Sequence, residues 1–102
     1  MTEVTVSDNA AAHRFEAVQG DEVAAFAEYK LQSEGMLFTH TEVTPKFEGK
    51  GVASKLAQFA LADVRARGLQ AIPACSFISG YIRKHPEYLD LVSEGNKRAY
   101  GL

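Results

Sequence analysis

Hydrophobic and polar residues alternate along the first part of the chain, as expected of strands that bury one face of a sheet. The alternating runs end at residue pairs that favour turns, such as Asp8-Asn9 and Gly20-Asp21. The third run is rich in alanine, which leaves a helix possible there, but the β-branched and aromatic run after it favours a strand. Four strands are therefore predicted, over residues 3–7, 13–18, 22–31 and 36–43.

Apolar residues change to helical spacing in the second part of the chain. They recur every three or four positions over residues 52–64, and Gly68 follows where the end of a helix favours positive φ. A short fifth strand is predicted over residues 69–74, with Pro73 favouring the edge of the sheet. A second apolar stripe over residues 77–82 predicts another helix, which ends before a proline.

The order β-β-β-β-α-β-α predicts an α+β fold with a mixed sheet, antiparallel at first and parallel at the later crossover. With 102 residues and a mass of 11.1 kDa, the chain has the size of one domain, which we assign to residues 1–102. Residues 93–102 contain two glycines and are expected to be loosely ordered.

Composition excludes several classes of function. A net charge of -2 at pH 7 gives no positive field to hold nucleic acid. A single cysteine, no signal-peptide pattern near Met1 and no bilayer-spanning apolar run favour a cytoplasmic protein with no membrane partner. The histidines, the cysteine and the acidic residues show no ligand spacing, so no metal site is expected.

A glycine-bearing loop over residues 46–51 lies between the fourth strand and the first helix. Glycines and the amides of a helix start bind phosphate oxygens, so this loop predicts an anion site, with a plain turn as the alternative. A Walker A motif is excluded because Lys50 is followed by Gly51. The dinucleotide fingerprint is a weak match, because it would place its third small residue at Ser54 and needs a parallel sheet before the loop.

The sequence from Val43 to Leu56, VTPKFEGKGVASKL, resembles the acetyl-CoA pyrophosphate loop of the GNAT superfamily of N-acetyltransferases, whose pattern is Q/R-x-x-G-x-G/A. Gly51 and Ala53 match that pattern, whereas Glu48 stands where the family usually has Gln or Arg. The segments at residues 73–78 and 81–88 are similar to the family's minimal branch, whose members have about the length of this chain.

The resemblance implies a GNAT-like fold that uses acetyl-CoA as a cosubstrate, with the pyrophosphate bound by loop amides. It also implies that a strand amide near Val43 stabilises the oxyanion and that Lys84, Lys50 or Lys46 meets the 3′-phosphate of CoA. The cofactor-binding residues implied in this way are Val43, Glu48, Gly49, Lys50, Gly51, Val52, Ala53, Ser54 and Lys84.

Two departures from the family bear on the acceptor side. Ordinary members have two helices between their first two strands and a terminal hairpin, whereas only residues 8–12 separate these strands here and little follows Val92. The acceptor side should therefore be open, with room for a protein or peptide. The family's tyrosine acid, counted onto this chain, falls at Ile82, with Tyr81 one step away.

Cys75, His40 and Glu42 are the candidates for catalysis. Cys75 lies between the predicted edge strand and a helix start, where the dipole favours a thiolate that could attack a thioester. A small buried residue is the alternative for this cysteine. His40 and Glu42 project from one face of the fourth strand, and either could deprotonate an amine, Glu42 through a water. A solvated strand edge is the alternative for both.

The leading interpretation is an acetyl-CoA-dependent N-acetyltransferase with an unknown amine acceptor. The amine would attack the thioester directly or after transfer of the acetyl group to Cys75. A non-catalytic acyl-CoA-binding or interaction module is the alternative from a different class. A small αβ scaffold without affinity for CoA is a third, weaker interpretation.

Overall fold

The computed structural model describes residues 4–102, in which the strands form a single five-stranded sheet. The strands are β1 (Thr5–Asn9), β2 (Arg14–Gln19), β3 (Glu22–Gln32), β4 (Gly35–Val43) and β5 (Ala71–Pro73). Strands that follow one another in the chain are neighbours in the sheet, antiparallel from β1 to β4 and parallel between β4 and β5. The α+β fold and the mixed sheet are confirmed; Glu3, where the first strand is predicted to begin, lies outside the described residues.

Three α-helices follow the antiparallel strands: α1 (Val52–Ala66), α2 (Ser76–Lys84) and α3 (Glu94–Ala99). Short 3₁₀ helices lie at Ala10–Ala12, Pro45–Phe47 and Pro86–Leu91. The alanine-rich third run is the long strand β3, not a helix. The fifth strand is shorter than predicted, and its proline lies on the edge strand as expected.

Residues 93–102, expected to be loosely ordered, instead contain α3. The Ser93 side chain caps this helix by accepting a hydrogen bond from the amide of Asn96 at 3.2 Å. The Arg83 side chain donates to the carbonyls of Gly101 and Tyr100 at 3.2 and 3.3 Å. A serine cap and contacts made through the backbone therefore order a segment whose glycines suggested otherwise.

Helices α1 and α2 bury one face of the sheet. Phe15, Phe38, Leu56 and Ile78 belong to one cluster of buried side chains, so strands and helices share a single core. The opposite face, called the outer face below, carries the residues that alternate with the buried ones, including Arg14, Glu16, Phe26 and Glu28.

A β-bulge interrupts the alternation in β4. The register pairs Glu28 with His40 and Tyr29 with Phe38, which leaves Thr39 without a partner. Because of the extra residue, each side chain after Thr39 in β4 lies on the face opposite to the one that simple alternation from Phe38 predicts. His40 therefore lies on the outer face, although its position two residues after buried Phe38 predicts the core face.

Candidate functional site

The loop between β4 and α1 exposes two glycines to open space. Gly49 has φ of 78° and Gly51 has φ of 75°, a left-handed backbone that only glycine adopts without steric cost. A Cβ atom added at either position would meet no other atom within 4 Å. A ligand can therefore approach this backbone closely.

The start of α1 adds free amide groups to the loop. Gly51 is the N-cap residue, and no side chain caps the helix. The first intrahelical bond runs from the amide of Lys55 to the carbonyl of Gly51 at 3.1 Å. The amides of residues 52–54 therefore have no acceptor within the helix, and together with the helix dipole they favour an anion.

A cavity of about 280 Å³ lies at these amides. It is lined by Val43, Phe47, Glu48, Gly49, Gly51, Val52, Ala53 and Ser54. Every predicted cofactor-binding residue except Lys50 and Lys84 is in this set. Phe47 is absent from the prediction; it is 3 % exposed, and its aromatic character within a polar glycine loop was the available signal.

The two predicted lysines line two other cavities that adjoin this one. Lys50 lines a separate cavity of about 240 Å³, together with Lys55. Lys84 lines a cavity of about 390 Å³ that shares Ser54 with the loop cavity. Both lysines therefore line cavities that adjoin the loop cavity, Lys84 through Ser54 and Lys50 through Phe47, Gly51 and Val52.

The cavity beside Lys84 is bounded by the aromatic side of α2. Tyr81 stacks on His85 with ring centroids 4.1 Å apart and lies 6.0 Å from the ring of Tyr88. Burial raises the pKa of the Tyr81 hydroxyl, and the nearby Tyr88 and Glu87 raise it further. Tyr81 therefore stays protonated at neutral pH and presents a neutral ring and a hydroxyl to this cavity.

One edge of β4 loses its partner halfway along the strand. Strand β5 pairs with β4 only as far as Phe38, and no other strand of the described chain pairs on that side. The amide of Thr44 donates to the carbonyl of Ala24 on β3 at 2.8 Å. Since alternate amides of a strand point to opposite sides, those of Thr41 and Val43 point to the unpaired edge.

Cys75 lies beside this unpaired edge, at the N-cap position of α2. Its amide donates to the carbonyl of Phe38 at 2.9 Å, and its thiol donates to Thr41 Oγ1 at 3.1 Å. The residue is only 7 % exposed. The position between strand end and helix start agrees with the predicted one, and the contact with Thr41 could not be read from the sequence.

His40 and Glu42 lie together on the outer face. Their closest side-chain atoms, Nε2 and Oε2, are 3.7 Å apart, and both side chains are more than half exposed, at 54 % and 61 %. The imidazole also meets the ring of Phe26 edge-on, with centroids 6.0 Å apart. An exposed imidazole beside a carboxylate can accept a proton from a substrate and pass it to solvent.

The structure does not bring the three catalytic candidates to one face. Thr41, which holds the Cys75 thiol, alternates with His40 and Glu42, so these two point away from the thiol on the other side of β4. Beyond Phe38, however, β4 is the outermost strand, and both faces border the same unpaired edge. Ile82, where the family's tyrosine acid would fall, is completely buried in the core.

Within residues 4–102, no helix has the length and apolar character needed to cross a bilayer. The same part of the chain has no group of three or more histidine, cysteine or acidic side chains placed to hold a metal ion.

A comparison with curated proteins found no match. A comparison with family models found one that spans most of the chain and covers β2 to β5, both long helices and the glycine loop between them. That model, described as GCN5-related N-acetyl-transferase, matches residues 14–91, and the chain therefore belongs to this family of acetyltransferases.

Proposed function

We propose that this protein is an acetyl-CoA-dependent N-acetyltransferase. Membership of the family supports acyl transfer in general. The observation that carries the choice of acetyl-CoA is the open glycine loop at the start of α1, directly beside the unpaired edge of β4. The loop suits a pyrophosphate, and the strand edge suits an extended amide-containing arm.

The residues fit the cosubstrate at three points. The pyrophosphate would accept hydrogen bonds from the amides of residues 52–54, where an added side chain at Gly51 would occupy the space it needs. The amides of Thr41 and Val43 would bind the pantetheine arm or the oxyanion. Lys84, in the adjoining cavity, would meet the 3′-phosphate.

In the direct route, the nitrogen of a neutral amine attacks the carbonyl carbon of the thioester. The C–N bond forms, and an amide of β4 stabilises the negative oxygen of the tetrahedral intermediate. The C–S bond then breaks, and the sulfur of CoA takes up a proton. His40, with its imidazole held beside Glu42, accepts the proton that the nitrogen loses.

In the two-step route, the sulfur of Cys75 attacks the thioester first. Its proton passes to the departing sulfur of CoA, which gives acetylated Cys75 and free CoA, and the amine then attacks the new thioester. The two thioesters are close in energy, so the protein has to supply only proximity. The place of Cys75 beside the unpaired edge supports this route, and its burial and its bond to Thr41 favour the direct one.

A non-catalytic acyl-CoA-binding module is the second candidate. The observation that favours it is Ile82, which fills the usual position of the tyrosine acid and is fully buried. Tyr81, the nearest hydroxyl in sequence, packs against His85 and Tyr88 in the cavity beside Lys84. Such a protein would bind acetyl-CoA without transferring the acetyl group.

Calorimetric titration with acetyl-CoA, followed by a turnover assay with a panel of amines, tests both candidates. Binding to the native state should stabilise it by about 2.7 kcal/mol at a hundredfold excess over Kd. Binding with turnover supports the acetyltransferase, and binding without turnover supports the module. No heat and no thermal shift at millimolar acetyl-CoA would overturn both.

A further inference from the structure

A cavity of about 480 Å³ opens between the 3₁₀ helix Ala10–Ala12 and β4, away from the glycine loop. Ala12 and Leu31 give it apolar walls, and the Leu31 side chain is 58 % exposed. Glu28 and Lys30 contribute opposite charges, and Thr39 closes the side next to β4. The cavity combines an apolar wall with a charged end.

Thr39 lies between this cavity and the unpaired edge of β4, where the thioester of acetyl-CoA is proposed to bind. It is the bulged residue between Phe38, whose carbonyl binds the amide of Cys75, and His40. Beyond Phe38, β4 has no partner on its far side within the described sheet. Only the width of one strand, about 5 Å, therefore separates the cavity from the unpaired edge.

Glu28 has a carboxylate that a cationic ligand can reach. It lies directly opposite His40 in the ladder between β3 and β4, a position in which side chains are neighbours. Arg14 lies opposite Glu28 on β2, but its guanidinium is bound to Glu16 at 2.7 Å and stacks on Phe26 at 4.4 Å. Among residues 4–102, no cation forms an ion pair with Glu28.

Lys30 limits which ligand can enter. It lies two residues from Glu28 on the same strand and lines the same cavity, about 7 Å further along. A ligand with a cation at Glu28 therefore meets repulsion at its other end if that end is also cationic.

Resting on the proposed function, we propose that this cavity receives the acceptor, a primary alkylammonium whose distal end carries no positive charge. Glu28 holds the ammonium beside His40, and Leu31 and Ala12 contact the alkyl chain. The ammonium loses one proton through His40 to solvent. The neutral nitrogen then attacks as in the direct route: the C–N bond forms, the C–S bond breaks, His40 accepts the proton that the nitrogen loses, and the sulfur of CoA takes up a proton from solvent.

The test compares KM values for two alkylammonium probes, Nα-acetyl-lysine methylamide and n-pentylamine. Glu28→Gln should raise KM by about threefold to fivefold, and the matched variant Lys30→Gln should lower it, because each removes one exposed charge. Hydroxylamine, which is uncharged at neutral pH, should show the same KM in all three proteins. A cationic diamine should be a poorer acceptor than n-pentylamine for the native protein and should improve with Lys30→Gln.

If Glu28→Gln raises KM for both probes, the proposal is supported. If it raises KM for Nα-acetyl-lysine methylamide alone, the proposal is supported with a protein side chain as the source of the amine. Turnover with an unchanged KM in Glu28→Gln overturns this inference and leaves the acetyltransferase intact. If turnover is absent but acetyl-CoA binds, NMR titration of the lysine probe decides. Amide shifts at Thr39 that weaken in Glu28→Gln then support the cavity, and unchanged shifts overturn it.

Discussion

The two junctions at which a strand leads into a helix differ in what they offer to a ligand. Between β4 and α1 the chain makes an exposed loop, and the N-cap is Gly51, with no side chain and open space around it. Between β5 and α2 only two residues intervene, and the N-cap is Cys75, which is buried and bound to Thr41. Both helix starts lack acidic residues in the first turn, so both suit negative charge.

This difference shows that a helix start alone does not make a binding site. The first junction has room for a ligand and backbone groups to hold it. The second junction is closed and contributes one side chain, at the edge where β4 loses its partner. We therefore expect binding to depend on the first junction and chemistry to depend on the second.

The largest effect is expected from Gly51→Val. The side chain would fill the space in front of the free amides, and the loss of two hydrogen bonds to a charged group weakens binding of acetyl-CoA by about a hundredfold or more. Gly68→Val is the matched control, since Gly68 has φ of 69° and open space too, so both variants bear left-handed strain. Calorimetry should find wild-type affinity in the control; equal losses in both would place the anion site elsewhere.

Cys75→Ala tests the other junction. Affinity for acetyl-CoA should stay within about twofold of the wild type, because the groups proposed to hold the cosubstrate are loop amides, amides of β4 and Lys84, and none is the Cys75 side chain. Intact-mass spectrometry and turnover then separate the routes. An acetyl group on the wild type that Cys75→Ser and Cys75→Ala lose, together with their turnover, identifies the two-step route; full turnover in Cys75→Ala identifies direct transfer. A tenfold loss of affinity would contradict the division between the junctions.

Glu48→Gln should make the junction between β4 and α1 a stronger anion site. Glu48 lines the loop cavity with a negative charge that opposes the pyrophosphate, so its removal should tighten binding of acetyl-CoA by about twofold to fivefold. The increase should shrink at high salt, where exposed charges are screened. Glu94→Gln, an exposed carboxylate on α3, is the control and should change nothing. Weaker binding in Glu48→Gln would mean that the carboxylate itself contacts the ligand.

The smallest effect is expected from Thr41→Val, which removes the acceptor of the Cys75 thiol. The free energy of unfolding should fall by about 0.5 to 1 kcal/mol, since a single hydrogen bond is lost. A double-mutant cycle with Cys75→Ala, measured by denaturant unfolding, isolates the pair. Zero coupling between the two substitutions would show that this contact contributes nothing to the second junction.

Sequence reasoning identified the elements of the fold because their signals are local. Alternation defines β1 to β4, the spacing of apolar residues defines α1 and α2, and Pro73 marks the edge strand. The cofactor-binding residues of the loop could be predicted for the same reason, since a turn that requires glycine and the start of a helix each depend on a few consecutive residues. The short helix α3 was missed although its Ser93 cap is a local signal, whereas the contacts of Arg83 with the carbonyls of Tyr100 and Gly101 are distant in sequence and could not be read.

The sequence by itself determined the mixed sheet, the glycine loop and the position of Cys75 at a helix start. Only the tertiary structure decided which side of β4 each candidate faces, because the bulge at Thr39 depends on pairing with β3. It also brought Cys75 to Thr41, which is 34 residues away in sequence, and left Glu28 opposite His40 beside a cavity. Such contacts depend on strand register, which is set by long-range packing and not by any local pattern.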